Sequence, residues 1–261
     1  MDCGSALMSQ KYLCTGTGCP RVWLACLLFL LTSLTQAQET YGSSDAPLVA
    51  EAGDVQIHTS NPDEMVYVIK QVLIKRYIED HKLQATDVEI AEFLDRKKIM
   101  MERNRLQMET RHAEIQQALA SKTLTADART RLEKERDTLY EMNRLMAAAE
   151  GRAGTAESDA AEVFVARSFI EQWKVNQALY RQYGGRVIFQ QSGAEPIDAY
   201  RDFFRDAQKS GHFKILGKDM EPALWSYYTT DGIHVFYPES GNKKELAINT
   251  PWWMMDEPVE Q

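Results

Sequence analysis

LVAEAGDVQIHTSNPDEMVYVIKQVLIKRYIEDHKLQATDVEIAEFL, residues 48–94, carries four successive signals of local structure. Residues 48–52 and 55–58 are short β-prone runs on either side of Gly53-Asp54. Glycine reaches positive φ without steric cost, so a tight turn fits there and the two runs form a ribbon. Asn61-Pro62-Asp63-Glu64 reads as a helix start. Asn61 can cap free N–H groups, Pro62 suits the first helical position, and the two acids favour the positive end of the helix dipole. Met65, Ile69, Val72, Leu73 and Tyr77 follow at helical spacing, with Val66, Val68 and Ile78 widening the apolar surface. Such a helix must be covered over most of its circumference. Thr86-Asp87-Val88-Glu89 then has the capping-box form and opens a second helix.

The helical pattern runs on from Thr86 to about Ala120 without glycine or proline. Leu94, Met101, Met108 and Ile115 fall seven apart, the spacing of a helix packed along one partner. Residues 126–150 are helical again, with Leu132, Leu139, Met142, Leu145 and Met146 to one side. Two long helices joined by the short link at 121–125 predict an antiparallel hairpin over 87–150. Its stripe is thin, because Lys97, Lys98, Asn104, Arg105 and Arg111 flank it. Residues 151–158 read as a break. Residues 160–183 form another amphipathic helix, with Phe164, Phe169, Trp173, Tyr180 and Tyr183 on one face, ended by Gly184-Gly185. Beyond it lie strand candidates at 186–191, 213–216 and 233–237, helix candidates at 196–210 and 220–228, and an aromatic tail, Pro251-Trp252-Trp253-Met254-Met255.

The N-terminus has the form of a targeting segment. Arg21 precedes the apolar run of residues 22–31, and Thr35-Gln36-Ala37 offers small residues before a cleavage point at Gln38. The run is short for a membrane span. Residues 1–37 are therefore expected to be a signal peptide, with Met1 or Met8 as the start; the alternative is an uncleaved membrane anchor. The mature chain is expected to hold no integral membrane span. Residues 38–47 are polar and read as a flexible lead. Cys3, Cys14, Cys19 and Cys26 all lie before the cleavage point, so the mature chain has no disulfide, thiol nucleophile or thiolate metal site. An exported chain without cysteine suits the bacterial periplasm. Residues 1–37 carry a net +1 from Asp2, Lys11 and Arg21, which leaves −9 of the total −8 on the remainder. That balance opposes non-specific binding to nucleic acid or anionic lipid.

The opening stretch resembles the N-terminal domain of the SurA-like periplasmic chaperones and related foldases. The matching residues are Val49-Ala50, Gly53 and Ile57 in the ribbon, Leu73-Ile74 and Ile78 in the helix, and Thr86-Asp87-Val88-Glu89-Ile90 after the break. The resemblance implies a mainly α fold with minor β: a SurA-N-like helical domain over 48–185 that includes the hairpin, followed by a small α+β region over 186–261. A fainter resemblance, to parvulin prolyl isomerases, covers Arg186-Val187-Ile188-Phe189, the helix through Ala199–Phe204, Gly211-His212-Phe213 and Gly232-Ile233-His234-Val235-Phe236. The family's glycine-rich centre is missing, and His234 alone remains of its histidine pair.

No catalytic motif of high specificity is present. His58, His81, His112, His212 and His234 lack ligand spacing, so no metal site and no cofactor are expected. The SurA resemblance implies a non-catalytic, chaperone-like or assembly accessory protein of the periplasm. Its partners would be unfolded or partly folded envelope clients, held in an apolar crevice between the first helix and the late one. The client-binding candidates are Ile69, Val72, Leu73, Phe164, Phe169, Trp173 and Tyr180. The alternatives are a degenerate parvulin-type isomerase and a helical scaffold for one fixed envelope partner. Trp252-Trp253 either anchors such a partner or folds back on the body.

Overall fold

Backbone pairing brings distant parts of the chain into one sheet. A computed structural model describes residues 39–150 and 155–255, with the backbone alone for residues 149 and 150. The expected leader and Gly151 and Gly154 lie outside the described residues. The first sheet holds β1 (Glu39–Gly42), β2 (Leu48–Ala52), β3 (Val55–His58) and, far along the chain, β6 (Phe213–Ile215), in the order β1-β3-β2-β6. β2 and β3 form the expected ribbon, and Gly53 at its turn has φ of 58°. Neither of the strand candidates at 186–191 and 233–237 joins that ribbon. β6 pairs antiparallel with β2, Ala50 opposite Ile215 and Ala52 opposite Phe213. β1 pairs parallel with β3, Glu39 opposite Val55 through Gly42 opposite His58. The expected flexible lead is thus partly a strand, held by backbone bonds while its side chains stay exposed.

The helices are α1 (Pro62–His81), α2 (Asp87–Leu119), α3 (Ala126–Glu150), α4 (Ala156–Tyr183), α5 (Ile197–Lys209), α6 (Glu221–Thr229) and α7 (Lys243–Asn249). The second sheet is the two-stranded pair β4 (Ile188–Gln190) and β5 (Gly193–Glu195). The protein is mainly α with minor β. Both predicted caps are made: Asn61 accepts from Asp63 N at 3.0 Å, and Thr86 and Glu89 complete the reciprocal box. α4 starts at Ala156, capped by Thr155, so Ser158 belongs to the helix and not to the break. Residues 233–237 are not a strand. Asp231–Ile233 is a 3-10 turn, after which Ile188 and Phe236 make one isolated bridge.

The main core lies between one face of the first sheet (Ala50, Ala52, Ile57), α1 (Met65, Ile69, Leu73), α4 (Val175, Leu179), α5 (Tyr200, Phe204) and α6 (Leu224, Tyr228). Each large apolar side chain buried there contributes roughly 1.5–3 kcal/mol. Residues from both sides of position 186 fill this core, and β6 completes the sheet of the ribbon. The described residues therefore pack as one compact unit.

A second cluster closes the base of the hairpin. Ile90 and Phe93 of α2 meet Ala166 and Ile170 of α4 beneath Trp253. The tail aromatics fold back on the body: Trp253 lies edge-on to Phe93 at 5.0 Å, and Trp252 edge-on to Phe169 at 5.4 Å. From this base the 33 residues of α2 extend about 50 Å at 1.5 Å per residue, with α3 alongside. Arg111 reaches across to both carboxylate oxygens of Glu135, at 2.7 and 3.0 Å. Near the tip Ile115 is fully buried, and Arg129 donates to the carbonyls of Leu119 and Ser121. Met101, Met142 and Leu145 are exposed, so the seam has fewer apolar contacts than the stripe suggested.

One buried carboxylate ties α4 to α5. Asp198, in the first turn of α5, accepts from Arg186 N at 2.9 Å, Arg186 Nε at 2.9 Å, Arg186 Nη2 at 3.0 Å and Arg201 Nη1 at 2.7 Å. Gly185 passes so close that a Cβ there would lie 2.5 Å from the Asp198 Cβ.

Candidate functional site

A groove of about 450 Å³ lies between α1 and the first half of α4. Lys70, Gln71 and Ile74 of α1 form one wall; Phe164, Val165, Phe169 and Gln172 of α4 form the other. The floor is Asn176 of α4, the β4–β5 turn with Glu195, and Tyr200 of α5. Phe164 at the lip is 70% exposed and Val165 beside it 44% exposed. The apolar face of α4 is thus covered along its second half and uncovered near its start.

The seven sequence candidates separate accordingly. Phe164 and Phe169 line the groove. Ile69 and Leu73 do not, because they point into the main core and are buried. Val72 packs on that core from its edge and sits beside Gly53. Trp173 is covered by the C-terminal segment: its Nε1 donates to the Ile248 carbonyl at 3.0 Å and its ring faces Trp253. Tyr180 lies under α7, with its hydroxyl bonded to Glu245 and Lys244 over its ring. An apolar stripe shows that a helix face is buried but not which turns of it find a neighbour. α1 presents a different edge to the groove from the one its strongest apolar positions suggested.

The floor is polar. Gln172 Nε2 donates to Tyr200 Oη at 2.6 Å and to Asn176 Oδ1 at 2.8 Å. Tyr200 Oη also donates to Asn176 Oδ1 at 2.7 Å, and Asn176 Nδ2 donates to the Ala194 carbonyl at 2.9 Å. This part of the floor is internally satisfied. Glu195 differs. Tyr227 Oη donates to its Oε2 at 2.8 Å, and Gln190 Nε2 in turn donates to Tyr227 Oη at 2.8 Å. Lys70 Nζ lies 5.5 Å over the Tyr227 ring and 5.7 Å over that of Tyr228. Burial holds the Glu195 carboxyl above the usual carboxylate range, partly opposed by the Tyr227 hydrogen bond and by the charges of Lys70 and His234. Burial and the neighbouring Glu195 charge also push the Tyr227 hydroxyl upward, so it stays a donor at neutral pH. Sequence reasoning missed this cluster because positions 70, 195 and 227 share no local spacing.

One other region was singled out by the sequence. The first and last segments of the fainter parvulin resemblance lie side by side, with Phe189 N donating to Val235 O and Tyr237 N to Val187 O. His234 between them donates Nε2–H to the Tyr227 carbonyl at 2.7 Å and packs edge-on to the Tyr227 and Phe236 rings. Among the described residues no group of three or more histidine, aspartate or glutamate side chains is placed to hold a metal ion. Nor, among them, is any helix long and apolar enough to cross a membrane. Comparison with family models, curated proteins and solved structures finds no match to this chain.

Proposed function

We propose that this chain is a non-catalytic, chaperone-like or assembly accessory protein of the bacterial envelope, exported by the segment at residues 1–37, that holds unfolded or partly folded clients in the groove between α1 and α4. The observation that carries the reading is the open groove with Phe164 standing exposed at its lip. An aromatic ring left in water on a rigid helix gains free energy from any apolar segment laid across it. Because such contacts are non-directional, binding is sequence-tolerant and weak. The resemblance of residues 49–90 to SurA-like chaperones supports the same role and the periplasmic setting. The test is aggregation of an unfolded outer-membrane protein after dilution from urea. The chain in several-fold molar excess is expected to delay light scattering, and Phe164→Ser to weaken that delay while the urea midpoint stays unchanged. No delay at that excess overturns the reading.

No prolyl isomerase activity is assigned to the chain. His234 commits its Nε2–H to a backbone carbonyl and does not line the groove. Acceleration of cis–trans exchange in a proline tetrapeptide, lost in His234→Ala, overturns that assignment.

A further inference from the structure

We infer that the groove selects client segments carrying a lysine or arginine among apolar residues, and that Glu195 pairs with that cation. The inference rests on the groove's role as a client site and adds the chemistry of its occupant. Glu195 is a half-buried carboxylate on the groove floor with one hydrogen bond, on one of its two oxygens. Oε2 accepts from Tyr227, whereas no hydrogen bond from the described residues reaches Oε1. The other carboxylate of this region, Asp198, is saturated by Arg186 and Arg201. No cation among the described residues makes an ion pair with Glu195. Lys70 faces it from α1 but holds its ammonium over the Tyr227 and Tyr228 rings, and the His234 ring nitrogen that makes a hydrogen bond is bonded to a carbonyl. Tyr200, the other titratable group beside the groove, gives its proton to Asn176.

A half-buried carboxylate with an open oxygen and a polar partner on one side only is stabilised by a cation brought to it. The occupant that relieves it is a donor with positive charge. The groove walls add a second requirement, because Ile74, Phe164 and Phe169 are apolar along the route to the floor. A lysine or arginine side chain meets both, since its methylene stem covers apolar surface while its charged head reaches a polar partner. A wholly apolar segment satisfies the walls and leaves the carboxylate desolvated. An acidic one meets Glu195 with like charge.

The experiment uses the full chain and two fluorescein-labelled peptides of leucine, phenylalanine and serine that differ only in a central lysine or glutamine. Anisotropy is read at about 0.15 M salt, where long-range attraction between the acidic protein and a cation is largely screened. A third peptide with the lysine moved to its end controls for what remains. The central-lysine peptide is expected to bind about tenfold tighter than the glutamine one, as a close charge pair gives, and the end-lysine peptide to gain little. In Glu195→Gln the lysine-to-glutamine ratio is expected to fall to about one. On the unmodified protein, carbodiimide is expected to couple the central lysine to Glu195, read by mass spectrometry. Equal binding of the two peptides overturns the charge pairing and leaves the apolar groove standing. Binding of neither overturns both. A preference that persists in Glu195→Gln, or coupling confined to outer carboxylates such as Glu157 and Glu162, overturns the assignment to Glu195.

Discussion

Replacing Asp198 with alanine removes the acceptor of four hydrogen bonds at once, three from Arg186 and one from Arg201. The loss has two parts. The Arg186 N–H is left without its acceptor, and a buried donor so orphaned costs about 1–3 kcal/mol. The guanidiniums lose their counter-charge, but solvent reaches them: the side chains of Arg186 and Arg201 are 37% and 22% exposed, against 12% for Asp198. The fully buried figure of about 3–5 kcal/mol for a broken pair is therefore an upper bound, and about 2–4 kcal/mol is expected. Burial on its own raises the Asp198 pKa, but the Arg186 hydrogen bonds and the charges of Arg201 and Arg186 outweigh it, so the folded value lies below the ordinary one. A carboxylate lowered on folding stabilises fully above its unfolded pKa, near 3.9, and loses that contribution as pH falls through the folded value. Urea unfolding of wild type and Asp198→Ala over a pH series measures both effects. The free-energy gap is expected to hold constant from neutral pH down to about pH 5 and to narrow below about pH 4. A gap under about 1 kcal/mol at neutral pH, or one that does not narrow in acid, refutes the reasoning.

Local geometry sets three further outcomes. Gly185→Ala places a Cβ at φ of 93° and 2.5 Å from Asp198 Cβ, and is expected to cost at least about 2 kcal/mol in the same urea assay. Trp253→Ala removes a ring packed on Phe93 and Trp173, for about 3–5 kcal/mol; amide exchange at Ile90 and Phe93 is expected to accelerate more than exchange in β2 and β3. Ile115→Ala opens the fully buried position near the hairpin tip, and faster exchange is expected around residues 108–135 with little change in the main core.

Local chemistry was the most legible part of the sequence. The Asn61 cap, the Thr86–Glu89 box, the Gly53 turn and the hairpin all rest on interactions between near neighbours, and each is present. β1 gave no signal, since Glu39–Gly42 buries no side chain and is held by backbone pairing alone. β6 was recognisable as Phe213-Lys214-Ile215, but its partner was not, because register across the chain depends on where α1 and α4 leave room. The sequence predicts a crevice between the first helix and the late one, and Phe164 and Phe169 line the groove that lies between α1 and α4. Ile69 and Leu73 were drawn to it by the same apolar character that sends them into the core. Its polar floor was invisible, because each of Glu195, Tyr227 and Lys70 reads singly as an ordinary surface residue.

The pairing of Ala50 with Ile215 also sets a timetable for the nascent chain. Beyond its base the hairpin of α2 and α3 pairs residues close in sequence and can form once residue 150 is made, whereas Ile90 and Phe93 wait for α4 and Trp253. β2 must wait until residues 213–215 exist, and contacts of such wide separation are slow to form. Until then one edge of β2 has unpaired amides and carbonyls beside an apolar face, the arrangement that recruits strands from other chains. A fragment ending before Phe213 is therefore aggregation-prone through residues 48–52, and in the intact protein β6 covers the edge that a premature stop would leave bare.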